Sequence, residues 1–237
     1  MVYQTFGDTP GDSDSPAKLE RLRISPERWR NAHVLDIGCN AGFFCEAAAA
    51  AAARSVTGID KEFDLIIEAR QKASQGVCYQ HLDWTRDTLP SGPWDVVLML
   101  SAIHYERDQP GLLRRINDTL ATNGVLVLEC GVSRMPGEVW QRCTRPGNST
   151  VRYPSLDLLQ RMMAAAGLTC RPIGPSVNQT GDQIPRHVFH CHRLQPTLMI
   201  VSGAGLAGKT SLCRSLGCVI FSVDNFTRAT AQTELAP

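Results

Sequence analysis

From His33 onward, short runs rich in apolar residues alternate with longer mixed stretches. HVLDIG reads as a buried strand, since a strand covered on both faces has no polar side to show, and SVTGID, VCYQHLD, WDVVLMLSA and GVLVLEC read as further strands. Between them, FFCEAAAAAAAR, EFDLIIEARQKA and GLLRRINDTLA read as helices. SLDLLQRMMAAAG predicts a helix opening at a serine cap. TCRPIGPSV and RHVFHCHRL predict two extended pieces paired as a hairpin through NQTGDQIP. Alternation of this kind means parallel strands with crossover helices on both faces. The expected fold class is α/β, a doubly wound, mostly parallel seven-stranded sheet.

Both ends depart from this rhythm. The first 15 residues are rich in Gly, Asp, Ser and Pro, and SPAKLERLRISPERW predicts two short helical pieces broken at Pro26. After Pro196, PTLMIVSG, GKTSLCRSLG and CVIFSVD restart the strand and helix alternation. The expected organisation is an N-terminal segment over 1–30, a main domain over 31–195, and a short C-terminal strand–loop–helix–strand extension over 196–237.

Charge narrows the partners. The 24 Lys and Arg nearly balance 23 Asp and Glu, so no bulk nucleic-acid surface is expected. Nine cysteines form no C-x-x-C pair, and several lie inside apolar runs, which suits a reducing cytoplasm. The polar start has no signal-peptide segment, and no run approaches the roughly 18 apolar residues of a membrane span.

The turn DIGCNAG places Asp36, Gly38, Asn40 and Gly42 between a strand and a helix, where backbone bends sharply and approaches a ligand. Glycine needs no Cβ clearance there, and Asn tolerates positive φ. Asp60 closes the second strand, a position from which a carboxylate accepts hydrogen bonds from two ribose hydroxyls. The pattern points to a nucleoside without choosing one, because dinucleotide folds use a similar turn and acid.

Taken together, VLDIGCNAG, VTGID, HLDW, WDVVLMLSAIHY and GVLVLE resemble, in order and spacing, the class I S-adenosylmethionine-dependent methyltransferases, Rossmann-like enzymes. The resemblance covers about 34–130, extends by implication to about 194, and departs mildly at Asn40, where Gly is frequent. It implies S-adenosylmethionine as cofactor, with Gly38 and Gly42 against the methionine part, Asp60 on the ribose and Asp83 on the adenine amino group. Leu82 or Trp84 would flank the ring, and Ser101 would join the cofactor site.

Ligands of open parallel sheets bind beyond the carboxyl ends of the strands, so SAIHY faces the transferred methyl group. His104 is the candidate base for a hydroxyl acceptor, while Tyr105 and Glu129 are candidates for acceptor contact. Arg145 and Arg152, with Tyr153, follow strand five where this family builds its acceptor pocket, and would suit an anionic acceptor. Ser15 or Lys18 would meet the cofactor's carboxylate or the acceptor if the N-terminal segment folds over the site. Of His187, His190 and His192, only the last two share a strand face, so no metal site is expected.

The C-terminal extension carries GAGLAGKT, which satisfies G-x-x-x-x-G-K-T from Gly203 through Gly208, Lys209 and Thr210. In such a loop backbone N–H groups surround phosphates, Lys209 reaches the terminal ones and Thr210 ligates magnesium. The stretch resembles the opening of P-loop kinases and NTPases as far as CVIFSVDNF, where Asp224 takes an acceptor-side position. Two strands and one helix cannot cover both faces of a parallel sheet, so ATP with Mg2+ is expected only if a partner chain or a further domain completes the unit. The expectation is a piece of a longer bifunctional methyltransferase and kinase, set against a degenerate tail or a loop working with a partner chain.

The expected activity is methylation of a hydroxyl on a small molecule or glycan. Two alternatives stand beside it: an ATP-binding P-loop module with the first domain in a regulatory role, and an RNA methyltransferase.

Overall fold

The computed structural model describes residue 4 and residues 11–144, 150–178, 182–195 and 211. It divides into a compact unit over Met1–Leu194 and a second over Gln195–Pro237. Of the second unit only Gln195 and Ser211 are described, so Gly203, Gly208, Lys209 and Thr210 lie outside the described residues, as does Arg145.

The first unit opens with α1 (Ser15–Leu22) and α2 (Pro26–Trp29), the two pieces expected around Pro26. Asp14 caps α1 by accepting from the Ala17 N–H. Then come β1 (His33–Ile37), α3 (Phe43–Ala50), β2 (Ser55–Asp60), α4 (Phe63–Gln71), β3 (Val77–His81) and β4 (Trp94–Leu100). A single 3-10 turn over Ile103–Tyr105 leads to α5 (Gln109–Thr119) and β5 (Leu120–Gly131). A short pair, β6 (Trp140–Thr144) and β7 (Thr150–Pro154), precedes α6 (Leu156–Ala165), β8 (Leu168–Pro175) and β9 (Arg186–Arg193). Ser155 caps α6, as expected, by accepting from the Leu158 N–H at 3.3 Å.

The seven-stranded sheet has the order β3-β2-β1-β4-β5-β9-β8. Its first five strands are mutually parallel, β9 runs antiparallel to β5, and β8 pairs antiparallel with β9. Strand alternation sends Leu35, Ile37, Val97, Met99, Leu126 and Leu128 to one core with α5 and α6. Val34, Val56, Val96, Leu98 and Val127 meet α1, α3 and α4 on the other face. No described helix is long and apolar enough to cross a membrane.

Two local features differ from the expectation. The alanine run ends its helix at Ala50, because Ala52 turns left-handed at φ 64° and the Ala53 N–H bonds back to the Ala48 carbonyl at 3.1 Å. That is a Schellman-type stop built without the usual glycine. The β6–β7 pair was not expected: five-residue strands joined across a Pro-Gly segment carry too little apolar alternation to announce themselves.

Candidate cofactor and transfer site

A cavity of about 320 Å³ lies beyond the carboxyl ends of β1, β2 and β4, lined among others by Gly38, Asn40, Asp60, Trp84, Ser101 and Tyr105. Its floor is the turn after β1, which bends through three left-handed residues: Gly38 at φ 80°, Asn40 at 52° and Gly42 at 91°. A Cβ on Gly38 would stand 3.0 Å from the Ala102 Cβ and 3.4 Å from the Trp84 ring. The bare backbone there keeps the cavity open between the turn and these two side chains.

Asp60 ties the turn to β2. Its carboxylate accepts from the Asn40 N–H at 2.9 Å and from the Glu62 N–H at 3.0 Å, leaving lone pairs on both oxygens for hydroxyl donors. Burial raises its pKa, and the N–H groups of Glu62 and Asn40 pull the other way. Asn40 accepts from the Ala41 N–H at 2.8 Å through its own side chain, an interaction that suits its positive φ.

Other expected residues stand further from the cavity. Asp36 alternates to the opposite face of β1, where its carboxylate accepts from the Cys45 thiol at 3.5 Å and burial pushes its pKa up to about 7. Gly42 starts α3 beneath the Tyr79 hydroxyl, which donates to Glu46 at 2.8 Å. Asp83 turns its carboxylate into its own turn, accepting from the Thr85 hydroxyl at 2.7 Å and N–H at 3.0 Å, which lowers its pKa. Its neighbour Trp84 is the one that reaches the cavity, with a buried indole.

His104 is buried directly behind the lining. Its ring centroid lies 4.2 Å from that of Tyr105 and 5.2 Å from that of Tyr153. Tyr105 is 44% exposed at the rim, with the Lys61 ammonium 5.8 Å from its ring centroid. Arg152 lies with its guanidinium 4.8 Å from the Trp140 ring centroid and donates to the Arg107 carbonyl. His190 bonds the Leu22 carbonyl at 2.8 Å and His192 the Gly124 carbonyl at 3.2 Å.

Ser101 is the centre of a buried ionic cluster. Held left-handed at φ 55°, its hydroxyl donates to Glu129 and accepts from Lys18 at 3.0 Å and from Arg186. Lys18 stands 3.7 Å from the Glu129 carboxylate, and Arg186 makes a two-pronged contact with Asp182 at 2.8 and 3.0 Å. Two cations and two carboxylates therefore balance out of water, where an uncompensated charge would be costly. Lys18 brings the N-terminal segment to the site, and Gln4 does so again: its amide donates to the Cys39 carbonyl at 3.2 Å and accepts from the Phe43 N–H at 3.1 Å.

Sequence reasoning missed Gln4, Asp182 and Arg186. Gln4 sits in a polar stretch with no pattern around it. The Asp–x–x–x–Arg spacing at 182–186 was the one available signal for the other two.

Residues 14–173 match the family model for a methyltransferase domain. The chain belongs to the methyltransferase domain family. It carries an S-adenosylmethionine-dependent methyltransferase domain, and the glycine cradle beside Asp60 fits that cofactor. Among curated relatives, a tRNA U34 carboxymethyltransferase of Pseudomonas savastanoi is 28% identical over 158 residues, 62% of this chain and 49% of the relative. This methyltransferase chain thus spans about half the length of the curated relatives it matches. In fold it is similar to an S-adenosylmethionine-dependent methyltransferase from Mesorhizobium loti, with TM-score 0.63, 18% identity, and coverage of 75% of this chain and 98% of that one. It is likewise similar to the Burkholderia thailandensis 1,6-didemethyltoxoflavin-N1-methyltransferase, with TM-score 0.60, 18% identity, and coverage of 77% and 82%.

Proposed function

We propose that the domain binds S-adenosylmethionine in the 320 Å³ cavity and methylates a hydroxyl on a small molecule or glycan that enters past Tyr105. The observation that carries this is the junction of a left-handed glycine turn with the Asp60 carboxylate at adjacent strand ends. Asp60 would accept from the ribose, Trp84 would pack beside the adenine, and Gly38 would admit the methionine part. When bound, the cofactor supplies an electrophilic methyl on a sulfonium, so the protein's remaining tasks are alignment and removal of the acceptor proton. His104 would take that proton once Tyr105 yields to the acceptor.

The test is calorimetric. S-adenosylmethionine should bind the full chain, and Asp60→Ala should weaken binding about 10–100-fold, the worth of hydrogen bonds to a charged group. Lys209→Ala should leave both binding and methyl transfer unchanged, because we read the G-x-x-x-x-G-K-T motif as one for phosphate and not for the methyl donor. Unaltered binding in the Asp60 variant would refute the assignment.

A second reading takes RNA as the acceptor and is favoured by the name of the curated relatives. It requires tRNA binding that falls steeply with salt, whereas a small-molecule enzyme lacks that dependence.

A further inference from the structure

We propose that Cys170 and Cys191 form a reversible cross-strand disulfide, making the β8–β9 hairpin a thiol-modification site of this protein. The two residues stand directly opposite one another in the antiparallel ladder, with their sulfurs 3.5 Å apart. Ladder parity puts them in a pair of the close type. The Leu194 N–H bonds to the Gly167 carbonyl at 2.7 Å, so 167 and 194 form a hydrogen-bonded pair. Alternation through 168·193 and 169·192 then makes 170·191 non-hydrogen-bonded. Pro172 opposite Phe189 falls in the same class and has no N–H to leave unsatisfied. Such pairs hold their Cα atoms about 4.5 Å apart, inside the roughly 4.4–6.8 Å that a disulfide spans. Closing the bond brings the sulfurs to about 2.05 Å by rotation of two side chains.

The two thiols divide the chemistry. Cys170 is half-buried on the edge strand, while Cys191 is buried. The Cys191 S–H donates to the Cys170 sulfur, which lowers the Cys170 pKa against the effect of burial; the same bond together with burial pushes Cys191 well up. Cys170 is therefore the attacking thiolate and Cys191 the resolving thiol. With a small organic disulfide RSSR as oxidant, Cys170 gives up its proton and attacks one sulfur, the S–S bond breaks, and RSH leaves. Cys191 then loses its proton, attacks the Cys170 sulfur of the mixed disulfide and expels the second RSH. Two protein thiols are oxidised to one disulfide, and one RSSR is reduced to two RSH. The bond ties β8 to β9 in the middle of their ladder, within the hairpin whose far end brings Asp182 and Arg186 to Ser101.

The experiment equilibrates the full chain with oxidised glutathione and maps the products by proteolysis and mass spectrometry. A Cys170–Cys191 linked peptide should appear and revert with dithiothreitol, while the exposed Cys78 carries glutathione. Cys191→Ser should stop at a mixed disulfide on Cys170, and Cys170→Ser should leave Cys191 unmodified. Loop closure in a domain of this size should raise the Tm of the linked protein by about 5–10 °C. The proposal is overturned if Cys170 stays glutathionylated beside an intact Cys191, if either joins a different cysteine, or if neither reacts while Cys78 does.

Discussion

Replacing Gly42 by alanine probes the turn after β1 that floors the candidate cofactor site. Gly42 has φ 91°, and its added Cβ would land on the Tyr79 hydroxyl and 2.7 Å from the ring carbon bearing it. The left-handed backbone alone costs an alanine about 1–2 kcal/mol. Tyr79 must also move, and it is buried with its hydroxyl donating to the Glu46 carboxylate at 2.8 Å. Loss of a hydrogen bond to a charged group adds about 1.5–3 kcal/mol. Gly42→Ala should therefore destabilise the domain by about 3–5 kcal/mol, a large share of an ordinary folding free energy.

Urea unfolding followed by tryptophan fluorescence measures this directly. Tyr79→Phe supplies the control, since it removes the same hydrogen bond without straining the backbone. The double variant should cost less than the sum of the two single ones by about 2 kcal/mol, because that bond can be lost only once. A Gly42→Ala cost below about 1 kcal/mol, or strict additivity with Tyr79→Phe, would refute the reasoning.

Two further outcomes test buried charge. The folded state keeps Asp36 protonated up to about pH 7, whereas the unfolded chain releases that proton near 3.8. More protons are thus bound folded than unfolded in this window, so stability falls as pH rises from about 4 to about 7 and then levels off. Asp36→Asn removes the slope and should exceed wild type by up to a few kcal/mol at pH 8 but by little at pH 4, read from urea midpoints; parallel profiles would contradict this. Glu129→Gln leaves Lys18 and Arg186 short of a counter-charge in a buried cluster and should cost about 3–5 kcal/mol. A loss under about 1 kcal/mol would mean that Ser101 and Asp182 alone hold both cations.

Much of this molecule is local and was therefore readable along the chain. Apolar runs and their punctuation named the seven sheet strands, and the strand-to-helix turn with Asp60 one strand later pointed to residues that the fold brings together around one cavity. Ser155 caps its helix for reasons confined to one turn of chain. Asp83 and Trp84 mark the limit: the motif pointed to both, yet the acid closes its own turn and the indole faces the cavity.

The order of elements, the parallel sheet and the left-handed conformations of the turn after β1 follow from the sequence by itself, because period, turn chemistry and φ preference are properties of a few neighbouring residues. Which side chains meet is settled by the three-dimensional arrangement of the strands and the N-terminal segment. Lys18 reaches Ser101 across 83 residues and Arg186 reaches it across 85, while Gln4 closes on the turn from 35 residues away. Cys170 faces Cys191 because of strand register. These meetings depend on strand order, pairing parity and the fold of the N-terminal segment, and no short-range pattern encodes them.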